Sequence, residues 1–211
     1  MIHAYDKVYQ EKARTSLGRM LDFAVYDLKL DLTEFFALFI TSGVAEQFGK
    51  GDYSLIAGMS GVELAYHVLE KSERHMERIK PHYSADRSEE YWTGWALAYY
   101  QWATSRSFSE IVKYVPIMVV KELYSPYHEM DIRQFRDKMD ELFRVAKPDT
   151  NLKIRRQKAG LTQRQLAEFS GVPLRTLQQY EQRQKDISRA QVEYLIVLAR
   201  ALCCEIEDLL E

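Results

Sequence analysis

The stretch that most constrains this chain lies near its C-terminus, from Leu161 to Glu181: LTQRQLAEFSGVPLRTLQQYE. Thr162, followed three residues on by Gln165, makes a capping box in which two orphan N–H groups at a helix start are satisfied reciprocally. Leu166, Ala167 and Phe169 give the helix that follows an apolar side. Gly171 stands where a tight turn between helices needs a positive φ, which glycine adopts without a Cβ penalty. Pro173 falls in the first turn of a second helix, where its missing N–H leaves no intrahelical bond unmade. Leu177 and Tyr180 then share the core face, while Arg175, Gln178 and Gln179 point elsewhere. Ala167 is small enough for the two helices to cross closely. The spacing predicts a helix-turn-helix.

A wider set of residues belongs with this stretch: Arg156, Leu161-Thr162-Gln163, Leu166-Ala167, Gly171-Val172, Thr176-Leu177, Tyr180-Glu181, Leu198-Ala199-Arg200-Ala201-Leu202 and Ile206-Glu207-Asp208-Leu209-Leu210. Together they make Asn151 to Glu211 similar to the phage-repressor/Cro-like (XRE) family of DNA-binding domains. Two departures stand out. Gln182-Arg183 occupies the place of the usual Asn-Gly after the glutamate, and Cys203-Cys204 that of the common Gly-Val before the last helix.

The resemblance implies a five-helix domain whose first helix-turn-helix element crosses the DNA backbone while the second enters the major groove by its N-terminal residues. Gln163, with Arg164 beside it, is then expected at a phosphate, and Gln163 would also brace the reading helix. Leu174, Arg175, Gln178 and Gln179 are the candidates to face bases. Arg175 suits guanine as a bidentate donor, Gln179 suits adenine, and Leu174 suits a thymine methyl. Thr176 and Lys185 are better placed for phosphates or caps. Arg156 and Glu181 match a structural ion pair tying the first helix of the domain to the reading helix.

The charge distribution agrees with this reading. Residues 1–149 carry 19 basic against 23 acidic side chains, and residues 150–211 carry 10 against 8. From Asn151 to Arg175 there are six basic residues, Lys153, Arg155, Arg156, Lys158, Arg164 and Arg175, to one acidic, Glu168. Positive charge is concentrated where a phosphate backbone would approach.

With 211 residues, 46% of them apolar and 28% charged, the chain has room for two small globular domains of ordinary composition. No basic N-terminal stretch leads into a long apolar run, so no signal peptide is expected, and the apolar run Phe35 to Ile40 is far too short to span a membrane. The two cysteines, adjacent at 203 and 204, make no disulfide framework and fit a reducing cytoplasm.

The N-terminal part reads as all helix. Leu17, Met20, Leu21, Ala24, Val25 and Leu28 recur on one face. A second helix is expected from a Thr33 start signal to about Phe48, followed by a loop at Gly49 to Asp52. The capping box Ser60-x-x-Glu63 opens a helix to about Lys71, and polar residues 72–88 form a connection. Further helices are expected at Ser109–Tyr114, Ile117–Leu123 and Asp131–Arg144, with a linker from Arg144 to Asn151.

The densest segment is Tyr91 to Trp102, YWTGWALAYYQW. A helix apolar nearly all round is buried on several sides or covered by a partner. Ordinary core is the plain account of it. Trp92, Trp95, Tyr99 and Trp102 are nevertheless candidates for a partner or ligand surface, because Trp and Tyr are enriched in hot spots. Enzymatic readings find no footing. Gly43 is one residue too far from Gly49-Lys50 for a phosphate loop, Gly51 stands where Ser or Thr should follow, and the five histidines have no metal-ligand spacing.

The expectation is an all-α chain, with a helical effector or partner domain over 1–147 and a helix-turn-helix domain over 148–211. It would be a cytoplasmic, sequence-specific repressor, a homodimer on operator double-stranded DNA, with no cofactor, metal, membrane or catalytic role. The N-terminal domain would bind a partner protein, such as the toxin masked by antitoxins that resemble this layout. The alternative is a ligand-sensing pocket in that domain.

Overall fold

The computed structural model describes residues 3–82 and 86–210. All regular structure among them is helical, and no described helix is long and apolar enough to cross a membrane. The chain divides into two compact units, Met1–Ala146 and Lys147–Glu211.

The N-terminal unit begins with α1, Gln10–Asp22, which runs into a wider π-helical turn, Phe23–Asp27. That turn is closed by the Leu28 N–H donating to the Phe23 carbonyl at 3.0 Å. Leu17, Met20, Leu21 and Ala24 are fully buried, as their spacing requires, and Leu28 is nearly so. The next helix, α2, spans Leu32–Thr41. Its cap is Asp31, whose carboxylate accepts the Glu34 N–H at 3.0 Å, and not Thr33. The single helix expected to run to Phe48 is two, because Gly43 at φ 79° turns the chain before α3, Val44–Gly49. A one-turn α4, Tyr53–Ile56, leads to α5, Gly61–Lys71. Ser60 and Glu63 form the expected capping box. Residues 83–85 of the expected connection lie outside the described residues.

After it come α6, Glu89–Thr104, then α7, Phe108–Tyr114, α8, Ile117–Glu122, a one-turn α9, Tyr124–Tyr127, and α10, Ile132–Ala146. Because α10 continues past Arg144, the residues between it and the next helix shrink to 147–150.

The unit is built on the contact of α1 with α6. A Cβ added at Gly94 would lie 2.6 Å from the Leu17 carbonyl oxygen and 2.9 Å from the Cα of Gly18, and one at Gly18 would lie 2.7 Å from the Tyr91 carbonyl oxygen. The two helices touch backbone to backbone, which only glycine permits. Around this axis the aromatic stretch is mostly interior. Trp92 packs edge-on against Tyr124 and Phe135, with centroids 5.7 and 5.2 Å away. The Trp102 indole donates to the Tyr5 carbonyl at 2.8 Å and stacks on His3. Trp92 is only 8% exposed and Trp102 only 5%, so the expected partner or ligand surface is corrected at both. A helix apolar nearly all round is covered by its own unit on most of its surface. Trp95 and Tyr99 are half-buried, and the Arg14 guanidinium lies 3.3 Å above the Trp95 ring. Burial lowers the pKa of that arginine.

The C-terminal unit has four α-helices and two 3-10 turns among its described residues, so the expected fifth helix is only a turn, Glu207–Leu209. The helices are α11, Asn151–Lys158, α12, Gln163–Ser170, α13, Leu174–Glu181, and α14, Val192–Ala201. Leu152, Leu166, Val172, Leu177, Leu198 and Leu209 form its fully buried centre. The closing turn is tied back to α11 by Asp208, which meets Arg155 at 2.7 Å, and by the Asn151 amide donating to the Leu210 carbonyl.

Candidate nucleic-acid interface

The interface is built by α12, the turn after it and α13. Thr162 and Gln165 cap α12 reciprocally: the Gln165 side chain accepts the Thr162 N–H at 2.9 Å, and the Thr162 hydroxyl accepts the Gln165 N–H at 3.2 Å. Gly171 ends the helix at φ 72°, with its N–H on the Ala167 carbonyl at 2.9 Å. Ser170, which periodicity did not single out, holds the turn from inside. Its hydroxyl donates to the Leu166 carbonyl at 2.7 Å and accepts the Val172 N–H at 3.3 Å. Pro173 precedes α13 as its N-cap residue instead of sitting in its first turn. Phe169 is corrected: it is 68% exposed, and the buried side of α12 is made by Leu166 and Ser170, one turn apart.

Glu181 is the joint of the unit. Its carboxylate accepts Arg156 Nε at 2.6 Å, Arg156 Nη2 at 2.9 Å and Gln163 Nε2 at 2.7 Å. The fork-to-fork geometry is the strongest form of such a pair. The third Arg156 nitrogen, Nη1, donates to the Leu161 carbonyl at 2.7 Å. With the Glu181 side chain 2% exposed, the carboxylate is buried but fully engaged. Its hydrogen bonds raise the pKa of the Arg156 guanidinium further. One carboxylate thereby ties α11, α12 and α13 together. Gln178 adds a long bond, 3.5 Å, from its Nε2 to Gln163 Oε1.

The other site residues are distributed as follows. Arg164, Arg175 and Lys185 are exposed, and Gln163, Leu174, Thr176, Gln178 and Gln179 are partly so. Thr176 sits in the first turn of α13 and is not its cap. Lys185 follows the helix in a loop closed on the Gln179 carbonyl, which accepts the Gln184 and Lys185 N–H groups at 2.8 and 3.1 Å. That loop contains Arg183 at φ 55°, and the end of α14 is followed by Cys203 at φ 50°. Each takes the left-handed conformation at a position where the family pattern it resembles has a glycine.

The basic cluster is smaller than its count suggests. Lys153 is paired with Asp149 at 2.8 Å, Arg155 with Asp208 and Arg156 with Glu181. Lys158, Arg164 and Arg175 are exposed and have no ion-pair partner among the described residues.

Residues 152–209 match the helix-turn-helix family model HTH_3. The C-terminal unit is an XRE-type helix-turn-helix domain. With it the chain is a DNA-binding regulator. No curated protein and no solved structure matches the chain.

Proposed function

We propose that the protein is a sequence-specific transcriptional repressor that binds operator DNA as a homodimer through its helix-turn-helix domain. In this reading Leu174, Arg175, Gln178 and Gln179 face base edges in the major groove, and Gln163, Arg164, Thr176 and Lys185 hold phosphates. The observation that carries it is the Glu181 network, which fixes α13 against α12 and leaves Arg175 exposed and unpaired. A rigid helix with a free guanidinium is suited to bidentate recognition of guanine. The N-terminal unit is read as a regulatory module without catalysis. A toxin-neutralising version of that role rests on Trp95 and Tyr99 alone, the members of the aromatic set that keep part of their surface in solvent.

Selection of binding sites from random double-stranded DNA by the full-length chain tests the reading. Enrichment of a palindrome with half-sites about one helical turn apart, ~34 Å, is expected. Recovery of no sequence would overturn specificity, and a lone half-site would overturn the dimer. On the selected site, Arg175→Ala is expected to cost about 1–3 kcal/mol of discrimination at one or two base pairs, measured by competition against single-base variants. An equal fall on operator and scrambled DNA would make Arg175 a phosphate contact.

A further inference from the structure

In α14, VEYLIVLARA, the only charged residues are Glu193 and Arg200. Leu195, Leu198 and Ala199 are its buried side, and the helix packs on α12. At 3.6 residues per turn, the opposite side carries Glu193, Ile196, Val197 and Arg200. The outer face of a surface helix is ordinarily polar. Here its middle is two β-branched aliphatics, Ile196 and Val197, both partly exposed, and Val192 on their flank is 62% exposed. Beside this face lies a shallow groove of about 310 Å³, which runs from Ile196 and Ala199 to Cys203 and Ile206.

The charges name the occupant. Glu193 and Arg200 are exposed, and neither has an ion-pair or side-chain hydrogen-bond partner among the described residues. Helix pairs form at i,i+3 and i,i+4, so two residues separated by two full turns do not neutralise each other. Laid antiparallel on a second α14 about a twofold axis, each charge meets its opposite. Glu193 then faces Arg200 of the second copy, and the reverse contact follows by symmetry. A parallel arrangement would set like charges together. The antiparallel one also brings Ile196 and Val197 of the two copies together at the centre. It carries Val192 of each copy towards the groove beside Ala199 and Cys203 of the other. The face is complementary to itself in charge and in apolar pattern.

We propose that the outer face of α14 is the homodimer contact and seats α14 of a second copy of this chain in antiparallel orientation. The inference rests on the homodimer reading and deepens it by naming the surface. One pair of 10-residue helices buries little area, so the dimer is weak in solution, with a Kd on the order of 10 µM. Two half-sites on one DNA reinforce it by linking the copies.

Sedimentation equilibrium of the full-length chain tests it with two charge reversals at exposed positions, Glu193→Arg and Arg200→Glu. Either one alone turns two attractive contacts into two repulsive ones and is expected to weaken self-association about tenfold. An equimolar mixture of the two variants is expected to recover the affinity of the unaltered chain, because each supplies the charge that the other lacks. Such recovery is beyond a variant that has failed to fold. A monomeric unaltered chain would overturn the contact, as would a dimer indifferent to both reversals or a mixture that does not recover. The homodimer reading is judged separately, by the selected DNA. A palindrome bound by a chain whose dimer ignores both reversals would remove this contact and leave that reading standing, whereas a lone half-site would remove both.

Discussion

Gly94 and Gly171 are both indispensable, for opposite reasons, and the contrast separates the two units. Gly94 sits in the middle of α6, where glycine is a poor helix former, and an added Cβ would strike the backbone of α1. Gly171 has open space around its missing Cβ and is there for its φ of 72°. The N-terminal unit is thus specified by a contact between residues far apart in sequence, and the helix-turn-helix by local geometry. A defect in the first propagates through a core; one in the second is confined to a turn.

The largest effect should come from removing the close approach. Gly94→Val is expected to destabilise the N-terminal unit by about 3 kcal/mol or more, because carbonyl oxygen and Cα atoms, not flexible side chains, occupy the space. All three tryptophans, Trp92, Trp95 and Trp102, lie in that unit, so denaturant unfolding followed by their fluorescence reports on it. An unshifted midpoint would refute the backbone contact.

Next in size is Arg156→Ala, expected to cost about 3 kcal/mol by leaving Glu181 as an uncompensated buried charge. Amide hydrogen exchange in α11 to α13 would detect it. Protection as in the unaltered protein would mean that the pair is dispensable. Gly171→Val should cost less, about 1–2 kcal/mol, since only the left-handed backbone is penalised. Equal losses from Gly171→Val, read by amide exchange in α12 and α13, and from Gly94→Val, read by tryptophan fluorescence, would erase the distinction between the two glycines. The smallest change is expected from Cys203→Gly, which relieves a left-handed non-glycine residue and should raise the melting temperature of the helix-turn-helix unit slightly; a lowered one would show that the cysteine side chain contributes.

The same distinction explains what was legible in the sequence. Capping boxes at Ser60–Glu63 and Thr162–Gln165 were readable because both partners lie within one helical turn. The Arg156 and Glu181 pair is 25 residues apart and was found through the family resemblance, not through spacing. The role of Ser170 is not legible, because a hydroxyl turned back onto its own helix leaves no periodic trace. Hydrophobicity alone puts Phe169 on the apolar face of α12, whereas the buried position one turn after Leu166 is filled by a serine. The aromatic stretch gave its helix correctly and its burial less well. Nothing local in YWTGWALAYYQW distinguishes a ring that meets solvent from one that meets Tyr124 or His3.

The left-handed Arg183 and Cys203 also bear on the chain before it folds. A glycine at either place would open regions of backbone space that a side chain forbids, and folding would have to give up that additional freedom. With arginine and cysteine there, the denatured ensemble is already narrower, so native strain at two turns is partly offset by a smaller loss of disorder. The two turns are therefore governed as much by what the open chain is denied as by any contact in the closed one.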